Sequence, residues 1–275
     1  MLGSGNATFI WSMWGWAFDG GEQDMRLASW ALMVLPLSLS MACGTNNLGS
    51  KYDQKTTAEQ AKIALDGGDY ESAIELYQAL ISDEPEAYQY YPLLSTSYAA
   101  KAGIVLADSL KSSSSGSGSG GGISSEVSNI IPASPTQQQL SDLDEAIKTL
   151  TNMPEEHRRN RGDYPYSSGA AFQLSLFQTM YSFMILKQYS NPTAGGGVSK
   201  EKLAAMTDTE ATAALSSLEA AVSNAPDTES GRALKTVGSA KLEAIKASTG
   251  TTDKERLQSY IEADAASKKA ALIFP

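Results

Sequence analysis

Residues 56–98 read TTAEQAKIALDGGDYESAIELYQALISDEPEAYQYYPLLSTSY, and the spacing of their apolar positions decides the fold class. Ala58, Ala61, Ala64 and Leu65 recur at helical spacing, Gly68-Asp69-Tyr70 interrupts, and Ala73, Ile74, Tyr77 and Leu80 resume the period before Pro85. That pattern predicts two helices, 57–67 and 70–83, joined by a tight turn. Gly68 allows the turn, Ala73 permits close helix approach, and Tyr77 with Leu80 fills the groove between the pair. Tyr91, Leu94, Ser95 and Tyr98 then start a further helix, expected to run over 87–110.

Outward from this stretch the helical period continues, and alternating β-branched runs are missing. Further helices are expected at 138–152, 167–189, 199–206, 208–223, 228–248 and 252–272. Thr56-x-x-Glu59, Thr207-x-x-Glu210 and Thr252-x-x-Glu255 sign three of the helix starts as capping boxes, each satisfying two otherwise unpaired backbone donors. The class is therefore all-α. Two loops interrupt it. Lys111–Ser125 (KSSSSGSGSGGGISS) cannot bury enough apolar surface to order itself and reads as a flexible linker, carried on past Ile130-Ile131-Pro132 and Pro135 to residue 137. Asn191–Val198, with Pro192 and three glycines, is the second. The steps Ala73, Tyr77, Leu80, Pro85 recur downstream as Ala214, Leu218, Ala221, Pro226.

Residues 58–98 resemble a tetratricopeptide repeat (TPR), in which a small residue closes one helix on the next, Gly-Asp-Tyr makes the turn, and Pro ends the second helix. Gly68, Tyr70, Ala73, Tyr77 and Pro85 occupy the repeat-defining positions. Thr57 and Gln60 depart from the pattern, which has large apolar residues there. The resemblance implies a helical array with degenerate repeats, since one repeat cannot bury its own face. It also implies that a concave groove binds another protein or a peptide.

Composition narrows the function. With 21 basic against 31 acidic side chains the net charge is −10, which argues against a nucleic-acid groove and its clustered cations. One cysteine excludes a disulfide framework or a cysteine-rich zinc site, and one histidine weighs against a histidine metal cluster. No Gly-rich phosphate loop, HExxH or GxSxG motif is present; Gly118–Gly122 follows no strand and opens no helix. We therefore expect neither cofactor, nor metal, nor catalytic activity.

All four tryptophans precede residue 31, a step in composition that sets the first residues apart from the fold. From Met25, the expected start of this segment, MRLASWALMVLPLSLSMACG has a basic start at Arg26, an apolar stretch over 27–39 and a small-residue exit at Ser40-Met41-Ala42. The apolar stretch falls short of the about 20 residues a transmembrane helix needs. Ala42-Cys43 at its exit resembles bacterial lipoprotein precursors, in which the Cys is diacylated, becomes the new N-terminus and is N-acylated. Leu39 stands four residues before Cys43, where the family favours three. The resemblance implies a signal region 1–42, a lipidated tether 43–55 and a lipid anchor at Cys43. Gly44, in place of an Asp that would retain the protein in the inner membrane, implies the outer membrane, facing the periplasm. Acyl chains contribute about 0.8 kcal/mol per buried CH₂, enough for stable anchoring when several act together. The remaining divisions are a repeat segment 56–110, a linker 111–137 and a C-terminal helical region 138–275.

Three features are candidates for contact. Tyr88 and Tyr90 lie off the packing stripe of Tyr91 and Tyr98, and tyrosines anchor interfaces well. Arg158, Arg159 and Arg161 form the one basic run, suited to an acidic partner or a lipid headgroup. His157 beside them lies on an expected loop without a nucleophile motif, so a solvated turn explains it better than a catalytic base. The helix at 167–189 is apolar on nearly every side (Phe172, Leu174, Leu176, Phe177, Met180, Met184), the mark of a central core helix; as a pocket wall it would suit a hydrophobic ligand. The reading that follows is a non-catalytic, anchored envelope protein that binds another envelope protein. The alternative is a solute-binding accessory of a transporter, similar in plan to helical T-component lipoproteins.

Overall fold

The computed structural model describes residues 56–104, 130–159, 166–190 and 198–273. The expected signal region 1–42, Cys43, the expected tether to residue 55, Arg161, and the bulk of both expected Gly-rich loops lie outside them. Ten α-helices are described: α1 (Thr57–Gly67), α2 (Tyr70–Asp83), α3 (Tyr91–Lys101), α4 (Gln137–Thr151), α5 (Glu155–Arg159), α6 (Ser167–Ser190), α7 (Lys200–Ala205), α8 (Asp208–Asn224), α9 (Glu229–Lys246) and α10 (Asp253–Ile273). A 3₁₀ turn at Tyr88–Tyr90 leads into α3. The described residues form no β-strand, and the chain is all-α.

Local chemistry explains the helix ends. At Thr56, Thr207 and Thr252 the hydroxyl accepts the N–H three residues on, while the Glu carboxylate accepts the threonine's own N–H. Thr136 and Gln139 form a fourth such box at the start of α4, in a stretch expected to be linker. α1 closes at Gly68, whose φ of 81° is left-handed; Gly68 N–H donates to the Leu65 carbonyl and Asp69 N–H to that of Ala64, the paired bonds of a Schellman turn. Asp69 then caps α2 by accepting the Ser72 N–H, so a turn of two residues ends one helix and starts the next.

Gly103 (φ 87°) repeats that device after α3, with Ile104 N–H reaching the Ala99 carbonyl. This corrects the helix expected over 87–110: it begins at Tyr91 after a 3₁₀ turn, and at Gly103 the left-handed backbone stops it. A second correction concerns the expected linker 111–137. Its last residues are packed, with Ile131 and Pro135 buried and the Ile131 carbonyl accepting from Lys187 Nζ on α6.

Two groups of buried side chains result. The smaller joins Ala61, Ala73, Ile74, Tyr77 and Leu94, where α1 lies on α2 and α2 on α3. The larger surrounds α6, which packs on α3, α4, α5, α8, α9 and α10. Leu174, Phe177, Met180, Met184 and Ile185 of α6 are all at most 1% exposed, so most sides of the helix are core. The downstream echo of the repeat spacing falls here: Ala214, Leu218 and Ala221 are buried against α6, and Pro226 follows the end of α8. α3 connects the two groups, with Leu94 in the smaller and Ala99 and Ala102 in the larger. Helices on either side of residues 105–129 pack directly, and the buried Ser95 hydroxyl donates to the Ala146 carbonyl across 2.7 Å.

Candidate interaction site

The site grows from the turn Met153-Pro154-Glu155-Glu156-His157-Arg158-Arg159. Met153 is buried and anchors the turn in the core, and the Pro154 carbonyl accepts the N–H groups of His157 and Arg158. The result is the single-turn helix α5, which corrects the loop expected around His157. α5 lies against the start of α6. That placement brings His157 Nδ1 within 3.1 Å of the Tyr166 hydroxyl and stacks the imidazole on the Tyr88 ring, centroids 4.0 Å apart. Tyr88 in turn meets Tyr91 at 5.7 Å, and the Tyr91 hydroxyl donates to the Pro85 carbonyl. The half-buried aromatic group thus ties the turn before α3 to α5.

The two candidate tyrosines are separated by this arrangement. Tyr88 belongs to the α5 cluster, whereas Tyr90 packs toward Tyr77 on α2, centroids 6.3 Å apart, and becomes part of the small core. Tyr77 itself is wholly buried and its hydroxyl has no hydrogen-bond partner; burial, with Asp66 and Tyr90 nearby, pushes its pKa up to about 12.

The arginines diverge as well. Arg159 is exposed, makes an ion pair with Glu155 at 3.3 Å and donates to Asn224 Oδ1 at 3.0 Å. Arg158 is half-buried, and its Nε donates to the Met153 carbonyl at 3.0 Å. Burial pulls the Arg158 pKa below its ordinary value, partly opposed by Glu155. Both guanidiniums line a cleft of about 250 Å³ whose other lining residues are Ala171, Asn224, Ala225, Pro226 and Asp227. Asp227 makes an ion pair with Arg232 at 2.8 Å. Asn224 is braced from behind, since its amide donates to Gln178 on α6. The far wall is the end of α8, which sequence reasoning did not connect to the arginines because Asn224 lies 65 residues from Arg159.

The alternative pocket wall, α6, borders this cleft at Ala171, while its Phe177, Met180 and Met184 are core. Among the described residues, no group of three His, Cys, Asp or Glu side chains could hold a metal ion, and no helix is long and apolar enough to cross a membrane. The fold and site define a class: an all-α protein with an arginine-lined surface cleft. No protein-family model, curated protein or solved structure matches the chain.

Proposed function

We propose that the chain is a non-catalytic, lipid-anchored protein of the bacterial cell envelope, outer-membrane and periplasm-facing, whose TPR-like helical domain binds another protein. The observation that carries this reading is the position of the one cysteine, Cys43, at the exit of a basic-then-apolar segment. Residues 44–55 then lead to α1, long enough to hold the helices clear of a membrane surface. The repeat reading draws support from α1 and α2, where Gly68 adopts a left-handed φ and Ala73 and Tyr77 are wholly buried at the expected positions. The binding reading draws support from Tyr88, stacked on His157 of α5, and from the cleft lined by Arg158 and Arg159; aromatic and guanidinium groups are the chemistry enriched at protein interfaces.

The test has two parts. Intact mass of the protein purified from its own membranes should begin at Cys43 with added acyl mass; an uncleaved chain retaining its tryptophans refutes the anchor. A photo-crosslinker at Tyr88 in living cells should trap a specific envelope protein, and Tyr90, turned toward α2, should trap less. Absence of any specific product at Tyr88 refutes the binding role.

A further inference from the structure

The cleft between α5 and the end of α8 holds an imbalance that no carboxylate among the described residues corrects. Arg159 is matched by Glu155, and Asp227 by Arg232. Arg158 is different: its Nε is taken by a main-chain carbonyl, and among the described residues no carboxylate pairs with it. A half-buried guanidinium loses hydration, and its planar fork is best satisfied by an oxyanion that accepts two parallel hydrogen bonds. The lining beside it is apolar at Ala171, Ala225 and Pro226, and Asn224, bonded to Arg159 and Gln178, is its polar neighbour.

We propose that this cleft receives a carboxylate from an acidic segment of a partner protein, held by the Arg158 guanidinium with Arg159 and Asn224 beside it. The inference rests on the protein-binding reading above and names the chemistry of its partner. Size favours such a guest. At about 250 Å³ the cleft is smaller than the about 300–1,000 Å³ that enclose drug-sized solutes, and it suits one or two residues of a peptide. Charge disfavours larger polyanions. A chain of net charge −10 is repelled by an anionic lipid surface as a whole, yet a local pair of arginines still attracts a single acidic side chain.

The experiment uses the full chain in detergent and measures fluorescence anisotropy of a labelled Gly-Gly-Glu-Glu peptide with a free C-terminus, against its amidated Gly-Gly-Gln-Gln counterpart. The acidic peptide should bind, the neutral one should not, and Arg158→Gln should weaken binding about tenfold or more, the size expected for a charge-assisted bidentate contact. Asp227→Asn, which removes a like charge from the far wall, should tighten it. Ala225→Phe fills the cleft and keeps both arginines; it should abolish binding, and it decides the matter if Arg158→Gln fails to fold. Equal binding of the two peptides, or binding unchanged in Ala225→Phe, overturns the proposal. Inorganic phosphate that competes at equal concentration, with the same Arg158 dependence, overturns it in favour of a general anion site. Capture by phosphatidylglycerol vesicles lost in Arg158→Gln overturns it in favour of lipid headgroups. Failure here with crosslinking at Tyr88 intact removes the carboxylate guest alone, whereas loss of the Tyr88 crosslink removes the binding role itself.

Discussion

The helix pair α1–α2 and the bundle around α6 are built by opposite strategies. In the pair, contacts are mostly short-range: a two-residue turn, small alanines at the crossing and one large side chain, Tyr77, in the middle, with Leu94 of α3 alongside. Around α6, contacts come from five or more helices, and polar groups of α6 meet partners far along the chain. The Ser175 hydroxyl donates to the Ala221 carbonyl, and the Ser217 hydroxyl to that of Gln178. The difference teaches where cooperativity resides. A pair closed by local contacts can open by itself, whereas a helix buried on most sides unfolds only with everything that covers it.

The comparison can be broken by mutation. Phe177→Ala, at the centre of the large core, should cost about 3–5 kcal/mol and lower the unfolding midpoint seen by every probe of the domain. A loss confined to one helix would show that the bundle is not cooperative. Next in size, Gly68→Ala and Gly103→Ala force a Cβ into left-handed backbone at about 1–2 kcal/mol each. Gly68→Ala meets only the Tyr70 hydroxyl, at 4.0 Å, so hydrogen exchange should quicken in α1 and α2 while α6 keeps its protection. Gly103→Ala also presses on Gln139 and Pro132, at 3.2 and 3.3 Å, and should loosen α4 as well, at the larger cost of the two.

Acid sharpens the same contrast. Glu210 is pulled two ways: partial burial raises its pKa, but hydrogen bonds from Thr207, Tyr189 and Gln137 outweigh that and hold it below the ordinary carboxylate value. A carboxylate with a depressed folded pKa contributes stability above its unfolded pKa and loses it as pH falls through the folded value. Those bonds join the starts of α4 and α8 to the end of α6. Glu210→Gln should therefore flatten the acid limb of the bundle's stability curve, checked by urea melts from pH 6 to pH 3, and leave α1–α2 unaffected.

The smallest effect at neutral pH belongs to Tyr77. Its buried hydroxyl has no partner, so Tyr77→Phe removes an unsatisfied group and should leave stability unchanged or slightly raised. Its folded pKa lies above the ordinary tyrosine value of 10, near 12. The stability it supports is complete below pH 10 and falls as pH rises toward 12, because the unfolded tyrosine ionises first. Tyr77→Phe should reduce the alkaline loss, measured as the difference in melting temperature between pH 8 and pH 11, leaving the part due to Tyr91, Tyr98, Tyr181 and Tyr189, whose pKa values are also raised.

Much of the pair was legible because its signals are local. Gly68-Asp69-Tyr70 carries the helix stop, the turn and the next cap within three residues, and Ala73 and Tyr77 are buried as their spacing predicts. The capping boxes at Thr56, Thr207 and Thr252 read equally well for the same reason. Elsewhere a local rule was present and outweighed. Helical periodicity through Ala99 and Ala102 hid the stop at Gly103, and the polar run before residue 137 masked a capping box and a buried isoleucine. Pro154 and the charges around His157 suggest a loop, whereas in the structure Met153 is in the core, His157 stacks on Tyr88 and the segment forms α5.

Helix identity, helix ends and the all-α class follow from hydrogen bonds and apolar periods that span three to five residues, which any stretch of the chain carries within itself. Pairing Tyr88 with His157, turning Tyr90 away to Tyr77, and setting Arg158 opposite Asn224 and Asp227 are properties of the packed molecule. Each depends on how α6 is covered, and that depends on side-chain volumes from helices scattered along the chain, which meet when the core closes.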